Sequence, residues 1–172
     1  MVSLNIGSGE VRLRDGYINV DIDPRVRPDI QCDLRRLPYI AGMVDKIYMA
    51  HTIEHFTDEQ VIEEVIPEMW RVLRVGGEFE CVTPIAGSFE AFQDPDHKSY
   101  WVPQKFLYFT SHFDGIIHRD YEQRFQLRYW EFDHREVRVW LTKVAQREEC
   151  ACPICRLHTE VGVEAHNVDN PA

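Results

Sequence analysis

Residues 4 to 23 read LNIGSGEVRLRDGYINVDID. The apolar run Leu4-Asn5-Ile6 breaks into Gly7-Ser8-Gly9, and a second run from Tyr17 to Ile22 carries Asp21 near its end. Short apolar runs that stop at glycines or acids suit parallel strands buried on both faces. In a doubly wound sheet, ligands bind outside the carboxyl ends of the strands, where the strand order reverses. Glycines after the first strand let the backbone approach a ligand closely. An acid at the tip of the next strand can accept hydrogen bonds from two ribose hydroxyls. Gly7, Gly9 and Asp21 therefore describe a seat for an adenosine-type ligand. A dinucleotide would also require a third glycine three residues past Gly9, where this chain has Arg12. The interval from Gly9 to Asp21 is also too short for the usual full helix plus strand.

Working outward, Asp29 to Cys32, Lys46 to Ala50 and Glu78 to Thr83 read as a third, fourth and fifth strand. Between the last two lies the clearest helix. Thr57 is its N-cap and Gln60 completes a capping box. Val61, Val65, Met69, Val72 and Leu73 recur at helical spacing, with Glu63, Glu64 and Glu68 marking the wet side. Pro67 should kink this helix, and Gly76-Gly77 should end it. Strand, helix and strand make a βαβ unit with a right-handed crossover and a parallel sheet. Beyond Pro84 aromatic residues crowd the chain. Pro103 to Phe109 reads as a short helix, and Arg124 to Phe132 with Arg135 to Val144 as an antiparallel hairpin turning at Asp133-His134. The expected fold class is α/β: a Rossmann-like, doubly wound, mostly parallel sheet with an antiparallel C-terminal hairpin. Residues 1–146 form the domain. Residues 147–172 form a tail without periodicity, either loose or zinc-binding.

The chain has 172 residues and a net charge of −10, which argues against a grip on nucleic acid; the nearest basic pairs, Arg12 with Arg14 and Arg35 with Arg36, are too few for the clustered lysine and arginine it requires. No apolar stretch approaches the ~20 residues of a membrane helix, and no basic-then-apolar leader opens the sequence. The five cysteines follow no disulfide framework, which favours reduced thiols and a cytoplasmic location.

The order of motifs resembles a small class I S-adenosylmethionine-dependent methyltransferase, of the type 11-like group with a shortened first crossover. The matching segments are Leu4 to Gly9, Gly16 to Asp21, Cys32-Asp33-Leu34 with Leu37-Pro38, and Asp45 to Tyr48. Glu54-His55-Phe56 and Trp70 to Gly77 complete the series. The resemblance implies that Gly7, Ser8 and Gly9 border the methionine end of the cofactor, while Asp21, beside Ile22, holds the ribose. It also implies that Asp33 receives the adenine amino group with Leu34 against the ring, and that Ala50 and His51 lie under the cofactor. The expected product is S-adenosylhomocysteine. The sequence departs from the family in three places. No helix precedes the first strand, where larger members carry a lid. Ser8 stands where cysteine is common, and Arg74-Val75 replaces lysine-proline before the double glycine.

Two patterns could concern metals. His51-Thr52-Ile53-Glu54-His55 spells the H-x-x-E-H of a zinc metalloprotease, which needs both histidines one turn apart on a stable helix. Here the pattern begins at a strand end, so Glu54 and His55 are expected to shape the loop or the substrate mouth instead. Cys150, Cys152, Cys155 and His158 could close a zinc site, with spacing tighter than paired knuckles, or belong to a reduced tail.

The substrate side falls on Asp94-Pro95-Asp96-His97-Lys98-Ser99-Tyr100-Trp101, after the fifth strand. His97, with Asp94, either serves as a base or hydrogen-bonds the loop. Tyr100 and Trp101 either sandwich a flat acceptor or pack. The expected function is methyl transfer to a small-molecule acceptor. The rival expectation is a cofactor-binding but idle subunit whose partner, a second copy or another chain, completes the site.

Overall fold

The computed structural model describes residues 1–11, 16–110 and 125–145. Seven strands form one sheet: β1 (Ser3–Ile6), β2 (Tyr17–Asp21), β3 (Ile30–Gln31), β4 (Val44–Ala50), β5 (Leu73–Pro84), β6 (Phe125–Phe132) and β7 (Glu136–Lys143). Their order is β3-β2-β1-β4-β5-β7-β6. The first five pair in parallel, and β7 runs antiparallel between β5 and β6. The α/β fold read from the sequence is the fold observed. The chain steps outward from β1 to β2 and β3, then returns to place β4 on the other side of β1. The strand order therefore reverses at β1, and the tips of β1, β2 and β4 border one crevice.

All four residues of β1 are buried, consistent with a central strand covered on both faces. The helical run after β4 starts as expected. The Thr57 hydroxyl accepts from the Gln60 amide, and the Gln60 side chain accepts from the Thr57 amide. It then proceeds as α1 (Asp58–Gln60), a π-helical segment (Val61–Val65) and α2 (Ile66–Val72). Pro67 supplies no N–H to the carbonyl four residues back. The strain takes the form of a widened turn just before it, in which the Ile66 amide reaches the Val61 carbonyl. Val61, Val65, Ile66, Met69 and Val72 are buried, each stabilising the fold by roughly 1.5–3 kcal/mol relative to exposure.

Two expectations about this helix are corrected. It ends at Val72 rather than at Gly76-Gly77, because Leu73 is already extended and pairs with Val44 in the sheet. The Lys143 ammonium donates to the Trp70 and Leu73 carbonyls at 2.7 and 2.8 Å, satisfying groups the helix terminus leaves open. Gly76 and Gly77 lie within β5, where a Cβ on Gly77 would stand 2.8 Å from the Arg74 carbonyl. Glu68 does not face water. It is buried, accepting from the Leu37 amide at 2.6 Å and from Arg71 through both carboxylate oxygens. The third strand shrinks to two residues, because the Asp29 carboxylate turns inward and accepts from the amide and side chain of Asn19.

The short helix at Pro103–Phe109 is a 3-10 helix. The hairpin forms at the far edge of the sheet, with Asp133 accepting the Arg135 and Glu136 amides across its turn. Among the described residues, no helix is long and apolar enough to cross a membrane. The tail from residue 147 lies outside the described residues, and with it Cys150, Cys152, Cys155 and His158.

Candidate functional site

A cleft of about 390 Å³ opens at the tips of β1, β2 and β4. Gly7, Gly9, Asp21, Ile22, Asp33, Leu34 and His51, all named from the sequence, line it together. Ser8 and Ala50 do not line it. Ser8 is buried behind the loop, with its hydroxyl near the Gly9 carbonyl, and Ala50 lends its carbonyl to the Thr52 hydroxyl.

The first wall is built by a single carboxylate. Asp21 Oδ2 accepts from the Gly9 amide at 2.8 Å, and Oδ1 accepts from the Asp23 amide at 2.9 Å. Each carboxylate oxygen keeps a further lone pair for a ligand hydroxyl. Gly7 has φ +63°, and a Cβ there would lie 2.2 Å from Thr52 Oγ1. Only glycine fits between the first strand and Thr52, so the backbone itself faces the cleft.

The second wall comes from the turn after β3. Asp33 caps the 3-10 helix Leu34–Arg36, and both of its oxygens are held by Arg35 at 2.6–3.1 Å. The Arg35 guanidinium holds the Asp33 carboxyl below the usual carboxylate range, partly opposed by burial. Arg35 also lies over the Phe56 ring at 5.8 Å. With Leu34 and Ile22, Phe56 gives the cleft flat apolar surfaces. Arg35, Thr52, His55 and Phe56 line the cleft without having been assigned to it from the sequence. Thr52 gave no local signal of its own, whereas Glu54-His55-Phe56 already stood out as a motif.

His51 closes the floor at the end of β4. Its φ of +49° is unusual for a residue with a side chain. Its Nδ1 stands 3.6 Å from Glu54 Oε1 and its Nε2 3.6 Å from Glu136 Oε2. The Glu54 carboxylate raises the imidazole above the usual histidine range, against the lowering effect of burial. Ile53–His55 is one 3-10 turn rather than an α-helix, so His51 and His55 lack the spacing a zinc protease needs.

His97 and Asp94 are placed beside this cleft and not on its lining. The His97 ring is 8% exposed, its Nδ1 is 3.0 Å from the Ala91 carbonyl, and its Nε2 is 4.0 Å from both Glu54 Oε1 and Asp94 Oδ2. The loop is tied down from the same side, since the Glu54 carbonyl accepts the Lys98 and Ser99 amides. Trp101 is fully buried with its indole N–H on Ser99, so it packs in the core and cannot sandwich an acceptor. Tyr100 is half exposed and stacks on Phe92 at 4.8 Å.

Residues 7–81, which contain every wall of this cleft, match the family described as a methyltransferase domain. The chain has the fold of the class I S-adenosylmethionine-dependent methyltransferases. A structure of such an enzyme from Archaeoglobus fulgidus superposes with a TM-score of 0.61 at 13% identity, covering 82% of this chain and 85% of that one. One from Methanosarcina mazei gives 0.61 at 14% identity, covering 83% and 92%. The complex of the Haloferax volcanii Trm112 methyltransferase activator with a putative methyltransferase gives 0.60 at 11% identity, covering 86% and 84%. No curated protein matches the sequence. In this methyltransferase fold, the crevice at the strand-order reversal is the cleft described above.

Proposed function

We propose that the chain is a methyltransferase that seats S-adenosylmethionine in the β1–β2 cleft and transfers its methyl group to a small-molecule acceptor. The Asp21–Gly9 hydrogen bond carries this reading, because it presents a carboxylate and bare glycine backbone to the same space. The ribose hydroxyls donate to Asp21. Adenine lies between Leu34 and Phe56 with its amino group toward Asp33, and the methionine end meets Gly7, Gly9 and His51.

Methyl transfer from a sulfonium is an in-line displacement, so positioning the acceptor behind the methyl group supplies much of the catalysis. The acceptor enters over the 94–101 loop, beside His55 and His51. A net charge of −10 favours a small acceptor over nucleic acid.

A second reading has one observation in its favour. A structural relative is found in complex with a methyltransferase activator, and this chain would then bind cofactor while a partner completes the acceptor side. Calorimetry with S-adenosylhomocysteine tests the shared claim, and absence of binding removes both readings. Transfer of labelled methyl groups from the isolated chain to a panel of small acceptors separates them. Turnover by the chain alone supports the enzyme, and turnover only with added partner supports the second.

A further inference from the structure

We infer that Glu54, His55 and His97 form a binding site for a divalent transition-metal ion at the acceptor end of the cleft. One ligand atom from each lies within 4.8 Å of the others. Three donors bonded at about 2.1 Å to one ion sit about 3–3.5 Å apart, so contraction of roughly an ångström brings them into coordination.

The hydrogen bonds around the cluster leave its donor atoms free toward one another. A carbonyl only accepts, so the Ala91 carbonyl takes the proton of His97 Nδ1. That fixes the ring with Nε2 turned toward Glu54, where its lone pair is open to an ion in the neutral form. Orientation of one ring nitrogen by a backbone carbonyl is the arrangement that metal-binding histidines use. On Glu54, Oε2 accepts from the Thr83 hydroxyl at 3.0 Å, while Oε1 makes no hydrogen bond although the side chain is 2% exposed, the nearest donor, His51 Nδ1, stopping 3.6 Å away. An orphaned carboxylate oxygen at that depth carries a desolvation penalty that a cation would relieve. His55 packs edge-on to His97, with ring centroids 5.0 Å apart.

Two imidazoles and one carboxylate favour an ion of the Zn2+, Co2+ or Fe2+ type over Mg2+, which prefers oxygen. His51 Nδ1 and Asp94 Oδ2 border the cluster as further donors. Because His55 also lines the cleft, an open coordination position there would receive an oxygen of the acceptor. That role rests on the methyl-transfer reading; the site itself does not.

The test is a Co2+ titration of the full, chelator-treated chain, followed by visible absorption and run without cofactor. The expected result is one equivalent bound, with ligand-field bands and no sulfur-to-cobalt band. His97→Ala and Glu54→Gln should weaken binding at least about a hundredfold, with folding checked by circular dichroism. Should His97→Ala fail to fold, His55→Ala at the cleft wall carries the same expectation. Replacing Cys150, Cys152 and Cys155 together by serine should leave the bands unchanged. No Co2+ binding, binding that survives His97→Ala or His55→Ala in a folded protein, or bands that vanish in the serine variant would overturn the site. S-adenosylhomocysteine affinity is measured separately, so loss of one finding leaves the other standing.

Discussion

The amide of Gly9 donates to the carboxylate of Asp21 across 2.8 Å, joining the loop after β1 to the tip of β2. Asp21 thus has a structural duty, and the proposed cofactor seat gives it a ligand-facing one as well. Asp21→Ala should lower S-adenosylhomocysteine affinity by about tenfold or more, through lost ribose hydrogen bonds and a loosened glycine loop. Titration calorimetry reads this directly, and unchanged affinity would remove Asp21 from the site.

Gly7→Ala tests the same wall from its β1 side. The new methyl group would meet Thr52 Oγ1 at 2.2 Å and Cγ2 at 2.6 Å, on backbone with φ +63°. The expected loss is roughly 1–3 kcal/mol of stability. A second change, Thr52→Gly, should recover the steric part and leave the backbone part. Urea midpoints of the single and double variants measure both.

Glu68→Ala should destabilise by about 1–3 kcal/mol, because the Leu37 amide is left buried without an acceptor. Arg71 can turn to solvent, since it is already partly exposed. The 34–37 turn carries Leu34 into the cleft wall on its proposed adenine side, so S-adenosylhomocysteine affinity should fall along with the urea midpoint.

These cases separate what local sequence carries from what only tertiary partners decide. The capping box of Thr57 and Gln60 spans three residues, and the glycine-to-acid pattern of Gly7, Gly9 and Asp21 spans one strand step. Both were readable because their physics is local. Glu68 read as a wet residue because its acceptor role is set by Leu37, 31 positions away. The helix end was misplaced because its cap, Lys143, reaches Trp70 from 73 positions along the chain. The His97–Glu54 pairing was hidden for the same reason, although each residue had been singled out alone.

Acid should unfold the protein partly through Asp45. Arg74, the Val2 amide and the chain's N-terminal charge hold its carboxyl below the ordinary aspartate range. A folded-state pKa below the unfolded value of about 3.9 gives stability that is present above that value and lost as pH falls through the lower one. Asp45→Asn should therefore flatten the steepest part of the acid limb in thermal melts below about pH 4. A limb identical to wild type would show that the pair contributes nothing.

Glu54 joins three parts of the molecule at once. Its carbonyl fixes the 98–99 amides, its carboxylate reaches Thr83 at the end of β5, and its own turn carries Thr52 and His55 into the cleft wall. Under the proposed methyl transfer, acceptor preference and cofactor grip are therefore mechanically linked traits in this scaffold. Substitutions that re-aim the 94–101 loop for a new acceptor will shift the nucleoside seat as well, and an engineered change of specificity will need compensating changes on the far side of that one residue.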